Sequence, residues 1–367
     1  MSWKSWKAAT SLKGEKMNKW QVDGLEWLEG TATDTEEATS SNLVTPTTIT
    51  SAAPIFDGVA LFVFNHVSDL LKNGHIEHST FKAYCYLLRH INDFFGNKGI
   101  CDLKTESLNA FIRYLNQRHL SSGTVRKTYN LLAMALRHAY VSRLIDWNPT
   151  VAVRAPKNRC PPPNPLTRES LQTLKERLSE LELTPFVAAA YLALLTGMRR
   201  GECCALQWKD ISADGMTAHV RHSIGMKQGG TYVKCTKTGN DRDVPIVPEL
   251  SAILRQLKER QFQECTETGV KFRTNFYVLG KIDGSYLSPY ALTKWWGMHA
   301  KEWKLVGTQG KTPVFHDLRH TFATVAVRGL DPKTAQTIMG HSNINMTMRY
   351  ADTELDQVRR ASSALEF

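Results

Sequence analysis

Between residues 57 and 145 apolar positions recur at helical spacing with almost no glycine or proline inside each run, which predicts four helices separated by short polar breaks. Ser79 and Thr80 precede Tyr84, Leu87, Leu88, Ile91, Phe94 and Phe95, and Gly96 with Asn97 ends that run. Thr105 is placed to cap the stretch from Leu108 to Leu115. The last run passes from Ser122 through Leu131, Leu132 and Leu136 to Ile145, with Arg126, Lys127, Arg137, His138 and Arg143 on its more polar sides. The pattern is an all-α domain with basic faces, and an ordinary solvated helix surface would carry such charges too.

Six prolines then fall close together, at positions 149, 156, 161, 162, 163 and 165, among Arg154, Lys157 and Arg159. Such a stretch predicts an extended, semi-stiff linker over residues 149–165. After it, Thr167 is a cap for a helix bearing Leu171, Leu174, Leu178 and Leu181, and Pro185 opens an apolar helix that ends at Thr196 and Gly197. Residues 218–224, 232–236 and 243–247 alternate or are β-branched, with turns at Gly229–Gly230 and Gly239–Asn240, so a small antiparallel sheet of about three strands is expected among helices. Helical periodicity returns beyond Leu250, with loops around Gly280, Gly284 and Gly307. The expected fold is mainly α with a small antiparallel β-sheet: a helical domain over residues 54–148, then an α+β domain over residues 166–352.

The 367 residues suffice for two hydrophobic cores, and 42% apolar with 22% charged residues is the balance of a globular chain. The longest wholly apolar run, residues 186–195, is about half of what crosses a bilayer, and no apolar segment follows Lys4 and Lys7 as a secretion signal would require. The expectation is a cytoplasmic, nucleoid-associated protein with no membrane partner. Seven cysteines without a C-x-x-C pair fit neither a disulfide framework nor a zinc ribbon and are expected to be reduced core thiols. Residues 31–53 are mostly Thr, Ser and Ala and read as a tether. Ahead of it, residues 1–20 combine five Lys with three Trp, which suits either a nucleic-acid arm or a short docked helix. Residues 1–50 hold five basic and seven acidic side chains, leaving 41 basic against 28 acidic in the rest, a balance that favours a polyanionic partner, nucleic acid first.

Four stretches of the second domain expose a cation or proton donor. Arg199 follows Gly197 at the end of the apolar helix, with Glu202 near enough to pair with an arginine, and its fork can grip two phosphate oxygens. Lys237 occupies the expected hairpin tip 236–240, where a flexible ammonium reaches into a groove. His316, Arg319 and His320 share one helix face by the i, i+3, i+4 rule. His341 follows Gly340, and Tyr350 lies nine residues further on. One reaction uses these types together and calls for no metal ligands: phosphodiester transfer through a tyrosine. Tyr350 would attack phosphorus, Arg199, Arg319 and His341 would neutralise the non-bridging oxygens, and Lys237 would protonate the departing 5′ oxygen. His316 would accept the tyrosine proton or donate to the phosphate.

In order and in kind the four stretches resemble the tyrosine recombinases, or phage-type integrases. Residues 196–202 with 206–211 are similar to the family's first arginine box, and Lys237 and Thr238 with residues 242–246 to its β-hairpin lysine segment. His316, Leu318, Arg319 and His320 match the H-x-L-R-H box, and residues 339–342 with Thr347 and Tyr350 match the final histidine and nucleophile. The resemblance covers roughly residues 57–367 and leaves the arm and tether over residues 1–53 unmatched. It implies a SAM-like core-site binding domain, a catalytic domain that needs no metal and no nucleotide cofactor, and a clamp closed on double-stranded DNA. It also implies a homo-tetramer on DNA, a monomer or weak oligomer when free, and DNA-bending accessory proteins as possible partners. A tail helix over residues 353–367 would dock on the neighbouring protomer or on its own domain. Three other readings remain open at this point: a type IB topoisomerase, a non-catalytic DNA-binding module, and a zinc site on His316 and His320 with Asp317 as base.

Overall fold

The computed structural model describes residues 58–159, 161–227, 230–235, 241–340 and 343–348, and the chain divides into two compact units between Cys160 and Pro161. The expected arm and tether over residues 1–53 and the tail over 353–367 lie outside the described residues.

Among the described residues the first unit holds the four predicted helices, α1 (Gly58–Lys72), α2 (His78–Phe95), α3 (Thr105–Gln117) and α4 (Ser122–Val141). Their apolar stripes meet in one core containing Val59, Val63, Leu88, Ile91, Phe111, Leu132 and Leu136. Phe94, Phe95 and Phe111 pack ring to ring at 4.8–5.3 Å. Each such side chain contributes about 1.5–3 kcal/mol of transfer free energy. Ser121 caps α4 by accepting from the Thr124 amide at 3.1 Å. Thr105 does not cap α3: it is the first helical residue, and Lys104 holds the extended cap position. A hydroxyl on a residue that is already helical no longer reaches the orphan amides as a cap does.

Each end of the proline-rich stretch is anchored in its own unit. Residues Pro149–Ala152 form a 3-10 turn, Val153 is buried in the first core, and the Pro156 carbonyl accepts from Arg126 at 2.7 Å. Beyond the boundary, Pro165 accepts from the Thr308 amide at 2.8 Å, and Leu166 is buried in the second core.

The second unit begins with α5 (Arg168–Glu180), capped by Thr167 as expected, and α6 (Pro185–Thr196). A helix apolar on every face must be surrounded. Accordingly α8 (Pro248–Glu267), α9 (Pro289–Glu302) and α10 (Phe315–Gly329) all pack against α6. The short α7 (Arg200–Ala205) follows α6, and α11 (Pro332–Met339) and α12 (Ile344–Met348) complete the described part. Trp296 of α9 is wholly buried and donates to the Pro313 carbonyl at 2.9 Å.

The sheet differs from expectation. The predicted strand over residues 218–224 is two, β1 (Thr217–Val220) and β2 (His222–Lys227), which break at Arg221 where the pairing partner changes. β2 pairs antiparallel with β3 (Gly230–Cys235), and β1 with β4 (Arg242–Pro245), making two short ladders in place of one three-stranded sheet. The described flanks of residues 236–240 belong to different ladders, and the expected hairpin tip itself lies outside the described residues. Cysteines 85, 203, 204 and 265 are buried free thiols, with burial pushing Cys85 up to about 12. Cys101 departs from the expected core placement and is exposed. Among the described residues no helix is long and apolar enough to cross a membrane.

His90 of α2 is 8% exposed, and neither ring nitrogen has a hydrogen-bond partner. Burial, opposed by Asp93 and reinforced by Arg118 and Arg89, lowers its pKa. The unfolded chain thus takes up this proton first. Stability is full above the unfolded value of about 6.5 and drains as pH falls through it towards the folded value. His90→Leu is expected to gain about 1 kcal/mol at neutral pH by removing an unpaired polar group. It should also flatten the loss of stability between neutral pH and pH 5; thermal melts across that range check both.

Candidate active site

The site is organised by the end of α6. Gly197 terminates that helix in the left-handed region at φ 66°, and a Cβ there would lie 2.4 Å from the Phe322 ring. Only glycine turns the chain this sharply against that ring. Two residues later Arg199 takes the extended position before α7, and Glu202 sits in the first turn of that helix.

Glu202 is 3% exposed and gathers four donors. The amide of Arg199 donates at 2.9 Å and its Nη1 at 2.8 Å, while Arg242, also buried, donates through Nη2 at 2.6 Å and Nη1 at 3.2 Å. Burial opposes the carboxylate charge, but the hydrogen bonds and field of Arg242, then of Arg199, hold Glu202 at about 2.

His316 and Arg319 come from the first turns of α10. Arg319, 3% exposed, donates to the Gly197 carbonyl at 2.7 Å and also to the carbonyl of Met339. Arg199 Nη2 reaches the next carbonyl, Gly340, at 3.0 Å, and Arg242 Nε reaches the preceding one, Ile338, at 3.0 Å. Three consecutive carbonyls at the end of α11 thus each accept from a different arginine. Helix-end carbonyls lack intrahelical donors, which makes them available for this purpose. Gly340, left-handed at φ 60°, closes the helix, and His341 is the next residue in the chain.

Burial lowers the pKa of His316, and the charges of Arg319, Arg199 and Arg200 lower it further against the opposing pull of Glu202. The imidazole is therefore neutral at pH 7, able to accept a proton. The His320 ring meets it edge-on at 4.7 Å. Arg200, beside Arg199 in sequence, turns away and donates to the Thr293 hydroxyl on α9. Asp317 caps its own helix by accepting from the Val314 amide at 2.7 Å, so it is already engaged in a role the zinc reading would need it to leave. Among the described residues no three His, Cys, Asp or Glu side chains lie together as metal ligands.

Of the six residues singled out from sequence, the structure brings Arg199, His316 and Arg319 together. Lys237, His341 and Tyr350 lie outside the described residues. Arg242 was not singled out as a site residue, although a signal exists: with Val244 and Ile246 it forms the inward face of an alternating stretch, an arginine where an apolar side chain is expected. Asp243, on the opposite face, is exposed and pairs with His219 at 2.6 Å.

Residues 164–356 match the model of the phage integrase family, and residues 63–146 match the phage integrase N-terminal SAM-like domain. The chain belongs to the phage integrase family of tyrosine recombinases. A tyrosine recombinase XerC-like protein of Caldanaerobacter subterraneus is 27% identical over 281 residues, covering 70% of this chain and 68% of that protein. The fold is shared with the Tn1549 transposon integrase, solved in complex with a circular intermediate DNA, at a TM-score of 0.69 and 22% identity over 84% of this chain and 100% of that one. It is also shared with a lambda integrase tetramer bound to a Holliday junction, at a TM-score of 0.59 and 20% identity over 79% of this chain and 76% of that one.

Gly197→Ala would force a side chain into the left-handed region and against Phe322, so the turn that presents Arg199 and accepts from Arg319 must shift. A loss of about 2 kcal/mol or more in urea unfolding is expected, since left-handed strain alone costs about 1–2 kcal/mol. An unchanged midpoint would mean that the turn carries no such constraint.

Proposed function

We propose that this chain is a site-specific DNA recombinase that cleaves and rejoins double-stranded DNA through a 3′-phosphotyrosyl bond on Tyr350, serving integration or excision of a mobile element. The observation that carries this reading is the meeting of Arg199 and Arg319, from segments over a hundred residues apart, on neighbouring carbonyls at the end of α11, with His316 in the first turn of the helix that bears Arg319.

In the proposed reaction the Tyr350 hydroxyl attacks the scissile phosphorus and His316 takes its proton. Arg199, Arg319 and His341 stabilise the charge that grows on the non-bridging oxygens. Lys237 protonates the 5′ oxygen as it leaves. The phosphotyrosyl ester conserves the energy of the broken bond, and the 5′ hydroxyl of another strand reverses the step to complete the exchange. The scheme draws only on side chains of this chain.

In the same reading residues 54–148 bind the core site, 149–165 connect, and 166–352 perform strand transfer. Residues 1–53 and 353–367 then serve as arm with tether and as a tail that docks on a neighbouring copy or on its own domain. Four copies assemble on DNA from monomers or weak oligomers, with DNA-bending proteins as accessory partners, and the protein works at the nucleoid.

Incubated with sheared host DNA and quenched in SDS, the wild-type protein should carry covalently attached DNA 3′ ends, whereas Tyr350→Phe should bind DNA equally and form no adduct. An adduct on that variant would assign the nucleophile elsewhere. Because the neutral form of His316 is the active one and its pKa is lowered, the acid limb of kcat/KM, which reports the free enzyme, should lie below the ordinary histidine value of about 6.5. An acid limb at or above that value would remove His316 from the role of base.

A further inference from the structure

The buried charge of Arg242 has no part in the proposed strand transfer. Arg242 of β4 lies under the site, and its guanidinium spends both terminal nitrogens on Glu202 and its Nε on the carbonyl of Ile338. A Cβ on Gly340 would lie 3.1 Å from the same guanidinium, so the turn after α11 rests directly on it.

The charges show what this does. Glu202 accepts from both Arg199 and Arg242. One buried carboxylate against two guanidinium groups leaves one positive charge uncompensated. Arg199 is the more exposed of the two, with its side chain 40% exposed against 7% for Arg242. The surplus therefore sits where a phosphate can meet it. Without Arg242 the pair Arg199–Glu202 would be neutral overall, and Arg199 would lie beside a carboxylate with no other cation to satisfy it. A phosphate approaching such a pair gains little.

We propose, resting on the strand-transfer reading, that Arg242 is a positioning residue for that reaction. It compensates Glu202 so that the charge of Arg199 stays available to the scissile phosphate, and it holds the Ile338 carbonyl so that the turn before His341 keeps its place. Arg242 touches no reacting atom and acts through Glu202, Arg199 and the α11 end.

The experiment compares full-length wild type, R242M, R242K and the double variant E202Q/R242M for single-turnover covalent adduct formation on saturating DNA, with DNA affinity and melting temperature measured alongside. R242M should slow adduct formation about tenfold or more at unchanged affinity, as loss of a transition-state contribution does. R242K, which keeps the charge but not the fork, should recover most of that rate. E202Q/R242M, with no carboxylate left to compensate, should be faster than R242M. A purely structural role would follow the melting temperatures instead and would give no recovery on removing Glu202. An R242M rate equal to wild type, or a double variant as slow as R242M, overturns the assignment of Arg242 while leaving strand transfer intact. Should R242M not fold, R242K and the double variant carry the comparison, and the assignment falls if both are as slow as an Arg319→Ala control. Absence of any wild-type adduct overturns both readings together.

Discussion

The second unit is organised around a carboxylate placed where water cannot reach it. Glu202 would be costly to ionise alone in that position, and its low pKa shows that the neighbouring guanidinium groups more than offset the cost. Buried ion pairs are weak contributors to net stability, since desolvation cancels most of the attraction. What Glu202 supplies is registration. Its four hydrogen bonds join the turn after α6 to β4, and through Arg242 and Arg199 to the end of α11, so three segments distant in sequence can meet in only one arrangement.

The carbonyls complete the device by a different route. A carbonyl oxygen is a neutral acceptor, so it can fix a guanidinium in space without cancelling its charge, whereas every added carboxylate would subtract from the positive field. The site uses one carboxylate and four carbonyls, those of Gly197, Ile338, Met339 and Gly340. The result is a cluster of arginines that are rigid and still charged. Burial first, and then that field, lowers the pKa of His316, which suits a proton acceptor beside cations able to meet a phosphate. Preorganised charge of this kind needs no rearrangement at the moment of reaction.

Much of this was legible in sequence because it depends on local rules. The helices of the first unit follow from 3.6-residue periodicity, and the turn at Gly197 follows from an apolar run that stops at a glycine. The shared face of His316 and Arg319 follows from their spacing alone. What was not legible depends on partners. Whether residues 217–227 form one strand or two is set by a change of partner at Arg221, which no local pattern encodes. Thr105 has a capping side chain, but the chain becomes helical one residue too early for it to cap. Arg242 sat in an alternating stretch whose inward face should be apolar, and its pairing with Glu202, forty residues away, makes the exception tolerable.

The same geometry accounts for the residue type at position 199. Its guanidinium holds Glu202 through Nη1 and the Gly340 carbonyl through Nη2, two nitrogens held apart by a planar fork that the single nitrogen of an ammonium does not offer. A lysine there would either stay on the carboxylate, leaving the turn before His341 unheld, or reach the carbonyl and leave Glu202 to Arg242 alone. Arg319 repeats the logic with two carbonyls, one on each side of the site. Both arginines therefore anchor the backbone that frames the site as well as supplying its charge, so the groups that would meet a phosphate are also the ones that fix the distance between Gly197 and the residues leading to His341.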